Sequence, residues 1–130
     1  MKMSMPQPTS DKPGMFTGLA VATLVSGIIN ILYGLTFTGG IVLGTLGIGL
    51  LCAPVTILPT ILGVFEILYA VKLLANPPQP VQPSQAIAIM EICCIVTGNV
   101  ISAGVGIFAL VAYSDATIKN YFARINGQIV

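Results

Sequence analysis

The chain has 130 residues, 55% of them hydrophobic and 7% charged, with five Lys and Arg against four Asp and Glu. A soluble domain keeps its surface wet with roughly 25% charged residues, so a mean hydropathy of +0.97 excludes an ordinary water-soluble globule. A net charge of +1 and the absence of His leave no face for nucleic acid and remove the commonest catalytic base and metal ligand, so no enzyme activity, cofactor, metal or nucleic acid partner is expected.

Residues 1–15 are rich in Pro and Ser, carry Lys2 and Lys12, lack the apolar run of a signal peptide and read as a disordered tail. Residues 16–36, FTGLAVATLVSGIINILYGLT, hold no charge over about 21 residues, enough to cross roughly 30 Å of hydrocarbon. The uncharged run beyond them is too long for one helix. Gly39 and Gly40 mark one turn and Pro54 with Pro59 another, giving a short second helix at 40–53 and a third at 58–75. Residues 76–85, NPPQPVQPSQ, have four prolines in ten and form an extended connection outside the bilayer. A fourth helix follows at 86–113, broken in polarity only by Glu91. In 114–130, Ser114 or Asp115 is an N-cap, Asn126-Gly127 is a stop, and Ile118, Tyr121, Phe122 and Ile125 line one face opposite Lys119 and Arg124. That pattern predicts an amphipathic helix lying in the headgroup zone.

Lys2 and Lys12 precede the first helix, and Lys119 and Arg124 follow the last. Flanking Lys and Arg prefer the cytoplasm, so both ends are expected there, with four spans between them and the proline-rich loop on the opposite side. GIINILYGL at 27–35 and GVFEILYAV at 63–71 share Gly, Ile, Leu and Tyr, which suggests duplicated helices. In four spans they run parallel, with Asn30 and Glu66 at one depth and Tyr33 and Tyr69 toward the outer interface.

Helices in lipid associate through small residues and polar contacts. The first helix carries Gly18, Ala22, Ser26, Asn30 and Gly34 four apart, and the fourth carries Cys94, Gly98, Ser102 and Gly106 at the same spacing. Three ionisable residues fall inside spans: Glu66, Lys72 and Glu91. Counted from the loop, Lys72 and Glu91 lie level and read as an ion pair or as snorkelling side chains. Glu66 lies deeper, near Thr97 and Asn99, with no cation in reach, and is expected to be protonated or hydrogen-bonded to Asn30, Thr97 or Tyr69. Cys52, Cys93 and Cys94 read as small apolar filling.

LPTILGVFEI at 58–67 and AIAIMEI at 86–92, on either side of a proline-rich loop, resemble small bacterial tetraspan membrane proteins of unknown function. The resemblance implies four spans in a bacterial cytoplasmic membrane and no specific activity. VISAGVGIFAL at 100–110 is similar to the animal membrane-spanning four-domain proteins, but their extracellular loop has no counterpart here. The expectation is an all-α, four-helix integral membrane bundle with an interfacial C-terminal helix. It would serve as a non-enzymatic accessory, scaffold or assembly subunit in contact with lipid and with other subunits or further copies of itself. The alternative is a small ion or proton-coupled channel or transporter using Glu66, Glu91 and Lys72.

Overall fold

A computed structural model describes residues 12–127. Among them every regular element is helical: α1 Gly14–Gly44, a 3₁₀ turn Ile48–Cys52, α2 Ala53–Thr56, α3 Leu58–Leu74, α4 Gln85–Cys93, a 3₁₀ turn Cys94–Thr97, α5 Val100–Ser114 and α6 Ala116–Ile125. The segments Gly14–Gly44 and Ile48–Leu74 are each long and apolar enough to cross a membrane. Val100–Ser114 and Ala116–Ile125, bent by 78°, make a third if taken as one broken span.

α1 runs straight through Gly39 and Gly40, where a turn was expected. An interior glycine costs about 1 kcal/mol relative to alanine, whereas a backbone group left unpaired in hydrocarbon costs several, so an apolar run stays helical across it. The helix instead stops where Thr45 and Gly47 supply local partners. Gly47 N donates to Val42 O at 2.8 Å, and Leu46 and Gly47 take φ of 52° and 93°. Residues 40–53 are therefore not a separate second helix but the end of α1, this turn and the 3₁₀ segment. Pro54 and Pro59 stand in the first turns of α2 and α3, where a missing N–H is no loss, so they begin helices rather than separate them.

α1 and α3 form an antiparallel hairpin. A Cβ added at Gly63 would lie 2.5 Å from Gly27 O, and one at Gly27 would lie 2.8 Å from Gly63 O, so the two backbones touch at this crossing. The duplicated motif is thus paired head to tail, not in parallel. Asn30 and Glu66 share a depth as expected, but Tyr33 and Tyr69 point to opposite ends.

The expected fourth helix, 86–113, is two helices. Gly98 takes φ of 87°, and the Asn99 side chain caps α5 by accepting from Ser102 N at 3.2 Å. The chain reverses at this Gly-Asn step and α5 packs antiparallel on α4, with the Gly106 position 2.5 Å from Ala88 O for an added Cβ. Two hairpins, α1/α3 and α4/α5, therefore make up the body, and the described residues do not form four full-length spans.

Lys12 Nζ donates to Ala75 O at 2.6 Å, and Asn126 Nδ2 donates to Val81 O at 2.8 Å, so the start of α1, the proline-rich loop and α6 share one end. This corrects the placement of that loop opposite the termini. Asp115, the expected cap, accepts from Thr117 N and Ile118 N at 2.9 and 3.3 Å and starts α6. The apolar face of α6 does not lie in lipid: Ile118, Tyr121 and Phe122 are buried, and the Tyr121 and Phe122 rings meet Phe16 at 4.5 and 5.3 Å. α6 closes the bundle like a lid. Burial pushes the Tyr121 phenol above its ordinary value, against the pull of Arg124, whose guanidinium lies 5.4 Å from the ring centre.

Candidate functional site

Asn30 lies near the middle of α1, roughly 24 Å along the axis from Gly14 at about 1.5 Å per residue. At this level both hairpins turn polar groups toward one another. Asn30 Nδ2 donates to Glu66 Oε2 at 2.6 Å and to Ser102 Oγ at 3.0 Å, while Asn30 Oδ1 accepts from Asn99 Nδ2 at 2.5 Å. Ser26 Oγ donates to Glu66 Oε1 at 2.8 Å and also meets Ser102 Oγ at 3.3 Å. All five residues are buried, and Asn30 uses both amide hydrogens and its carbonyl oxygen as the bridge from α1 to α3 and α5.

Glu91 completes the cluster from α4. Its carboxyl lies against that of Glu66 and beside the Ser26 hydroxyl. Glu66 and Glu91 are 0% and 1% exposed, and Glu91 Oε1 has no hydrogen-bond partner. Among the described residues the bonds to the Glu66 carboxylate oxygens come from Ser26 and Asn30 alone, and no Lys or Arg is paired with either acid. Close backbone contact makes this possible: the added Cβ positions at Gly27 and Gly106 lie 3.0 and 2.9 Å from Glu66 Cβ and Glu91 Cβ, so the acids sit directly over the glycine seams.

Of the residues singled out from sequence, Glu66, Glu91, Asn30, Asn99, Ser26 and Ser102 meet here. Lys72 does not. Six residues beyond Glu66, it lies about 120° round the helix, and it is exposed beside the loop cavity that Tyr69, Ser84 and Asn126 also line. The expected Lys72–Glu91 ion pair is replaced by the contact between two acids. Gly34 and Gly106 lie in backbone seams against Thr60 and Ala88, and Gly98 forms the reversal. Gly18 has nothing within 4 Å of an added Cβ and Ala22 is half-buried, so the upper part of that stripe packs on little. Glu66 binds Asn30 but not Thr97 or Tyr69. Thr97 Oγ1 donates to Cys94 O at 2.7 Å, and the Tyr69 hydroxyl donates to Gln82 O at 2.7 Å and accepts from Ser84 N at 3.1 Å.

Sequence reasoning assigned Ser26 and Ser102 to packing alone. The signal that would have placed them was the Gly98-Asn99 pair, a helix stop followed by a cap, which folds Ser102 back toward α1. Cys94 is buried at the edge of the cluster, whereas Cys52 and Cys93 are exposed. No group of three or more His, Cys, Asp or Glu suited to a metal ion occurs among the described residues. Comparison with family models, curated proteins and solved structures finds no match. The groups gathered at the site are two carboxyls, two hydroxyls and two amides.

Proposed function

We propose that this chain is a small, non-enzymatic, multi-pass membrane protein that takes up and releases a proton at the Glu66–Glu91 pair. The observation that carries the reading is the contact of two buried carboxyls with no cation beside them. Two carboxylates this close in a low-dielectric setting cannot both be charged, so they hold at least one proton between them. Lys12, Lys72, Lys119 and Arg124 all belong to the loop end, which supports a cytoplasmic position for that end.

Infrared difference spectroscopy on the reconstituted protein tests this. The chain has only two other acidic side chains, Asp11 and Asp115, so the carboxylic C=O region is sparse. A protonated-carboxyl band should persist at neutral pH, disappear on strong alkalinisation, and be absent from the Glu66→Gln/Glu91→Gln double variant. A wild-type spectrum with no such band at neutral pH would reject the reading.

A second reading, an assembly subunit for another membrane protein or a further copy, is favoured by the end opposite the loop. There α1 and the segment Ile48–Leu74 extend past the Gly98 reversal, and Leu46 and Leu51 are 95% and 84% exposed. An added Cβ at Gly39, Gly40 or Gly44 would meet nothing within 4 Å, leaving room for another helix. Crosslinking in native membranes from this end should capture a protein neighbour, and labelling by lipid alone would count against it.

A further inference from the structure

Within each hairpin the backbones are in direct contact, at Gly27 with Gly63 and at Gly106 with Ala88, so each is a unit that cannot shear without a clash. Between the hairpins the bonds are of another kind. They are side-chain contacts at two levels: at mid-depth Ser26 and Asn30 with Ser102, Asn30 with Asn99, the Tyr33 hydroxyl donating to Thr97 O, and the carboxyl pair; at the loop end the Tyr113 hydroxyl donating to the Tyr69 hydroxyl at 3.3 Å and the apolar contact of Tyr121 and Phe122 with Phe16. The α4/α5 unit is joined to α3 through the proline-rich stretch between Leu74 and Gln85, which Tyr69 and Asn126 hold at the loop end through Gln82 O, Ser84 N and Val81 O, so this end is the fixed one and the polar level is the end free to part. Two stiff bodies pinned together at the loop end, with a polar contact holding an unpartnered carboxyl oxygen at mid-depth, make a two-position device.

We infer that the proton shared by Glu66 and Glu91 latches the α4/α5 hairpin onto α1/α3, and that its loss releases the hairpin. The inference rests on the proton-binding reading and names how that site is read out. With one proton present, one carboxyl donates to the other and the hairpins close on a hydrogen bond. Without it two negative charges face each other across the same contact and push α4 from α3. No other group on the packed elements supplies a compensating charge. α1 contributes Ser26 and Asn30. α3 adds Tyr69 one turn beyond Glu66, the 3₁₀ turn after α4 adds Cys94, and α5 adds Ser102 and Tyr113. None of these is a cation. The sign follows: the hairpin is docked at low pH and released as pH rises through the deprotonation of the pair.

Spin-label distances in the full chain test this directly. Val21 on α1 and Ile107 on α5 are exposed, as is Leu68 on α3. In a Cys52→Ser/Cys93→Ser background, with Cys94 left buried, labels at Val21→Cys and Ile107→Cys report the gap between hairpins. Labels at Val21→Cys and Leu68→Cys report the inside of one hairpin. Raising the pH should shift the first distance to longer and broader values in the range where the infrared carboxyl band is lost, leave the second unchanged, and move neither in Glu66→Gln/Glu91→Gln. Glu91→Gln alone, which keeps the hydrogen bond and removes one charge, should also stay closed. A first distance that stays fixed while the band titrates would overturn the latch and leave proton binding intact. A band that never titrates would overturn both, and movement of both distances would show unfolding in place of release and equally reject the latch.

Discussion

Asn30→Leu is the sharpest perturbation of the polar level, because leucine keeps the number and branching of the side-chain heavy atoms and removes every hydrogen bond at once. Three bonds disappear, at 2.6, 3.0 and 2.5 Å, to Glu66, Ser102 and Asn99. Interhelical hydrogen bonds in a bilayer are worth on average about 0.6 kcal/mol each, so their loss alone costs about 2 kcal/mol. Glu66 Oε2 and Asn99 Nδ2 are then left buried without a partner, and an orphaned polar group adds roughly 1 to 3 kcal/mol where it cannot relax. The expected destabilisation is about 2 to 5 kcal/mol, measured by equilibrium unfolding in mixed micelles of increasing denaturing detergent. A double-mutant cycle with Ser102→Ala should return a coupling of about 0.6 kcal/mol for that one bond. If Asn30→Leu unfolds within about 0.5 kcal/mol of the parent, the amide is not the bridge between hairpins and the argument fails.

The same unfolding assay should separate glycines that look alike in sequence. Gly63→Ala brings a Cβ to 2.5 Å from Gly27 O, well inside ordinary contact beginning at 3.4 Å, so the helices must part and stability should fall by about 1 to 3 kcal/mol. Gly39→Ala meets nothing within 4 Å and should be neutral or stabilising by about 0.5 to 1 kcal/mol, as expected for a helix interior. Asp115→Ala removes both capping bonds of α6 and should cost about 1 kcal/mol, seen as faster hydrogen exchange at Thr117 and Ile118 with α5 unaffected. Single cysteines at Lys12, Gln82 and Arg124 should react with an impermeant thiol reagent from one side of sealed vesicles, and Gln82 labelling from the side opposite the other two would refute the shared end.

The helical class, the start of α1 and the bounds of α3 and α6 are legible in the sequence, because an uncharged run of membrane length and an Asp cap before an amphipathic repeat each have one cheap solution. Asn30 and Glu66 were also legible as a pair, since the repeated Gly-x-x-polar-x-x-Tyr pattern puts each polar residue one turn from a glycine that allows close approach. Direction was not legible: a seven-residue likeness is satisfied equally by parallel and antiparallel helices, and only the position of the next reversal decides. The reversals were misjudged at Gly39-Gly40 and at Gly98-Asn99 for opposite reasons. Glycine alone does not break a helix that has no water to bond to, whereas glycine followed by a side chain able to cap the next helix does. Lys72 and Glu91 were matched by depth, which sequence counting gives, but their meeting depends on rotation about the axis, which counting from a loop leaves out.

From Pro13 to Phe65 the chain has no Asp, Glu, Lys or Arg, and the turn farthest from the loop is made of Thr45, Leu46 and Gly47. The first hairpin can therefore enter a bilayer from one face as a preformed unit without carrying a charge across hydrocarbon, a step that otherwise costs about 2.5 to 3.5 kcal/mol per residue on translocon scales. The second hairpin reverses at Gly98-Asn99, short of the turn at 45–47, and α6 returns to the loop end. Entry of the described residues from the loop end would then move no Lys or Arg across hydrocarbon, and the cost of insertion would be set by the burial of Glu66 and Glu91 against each other.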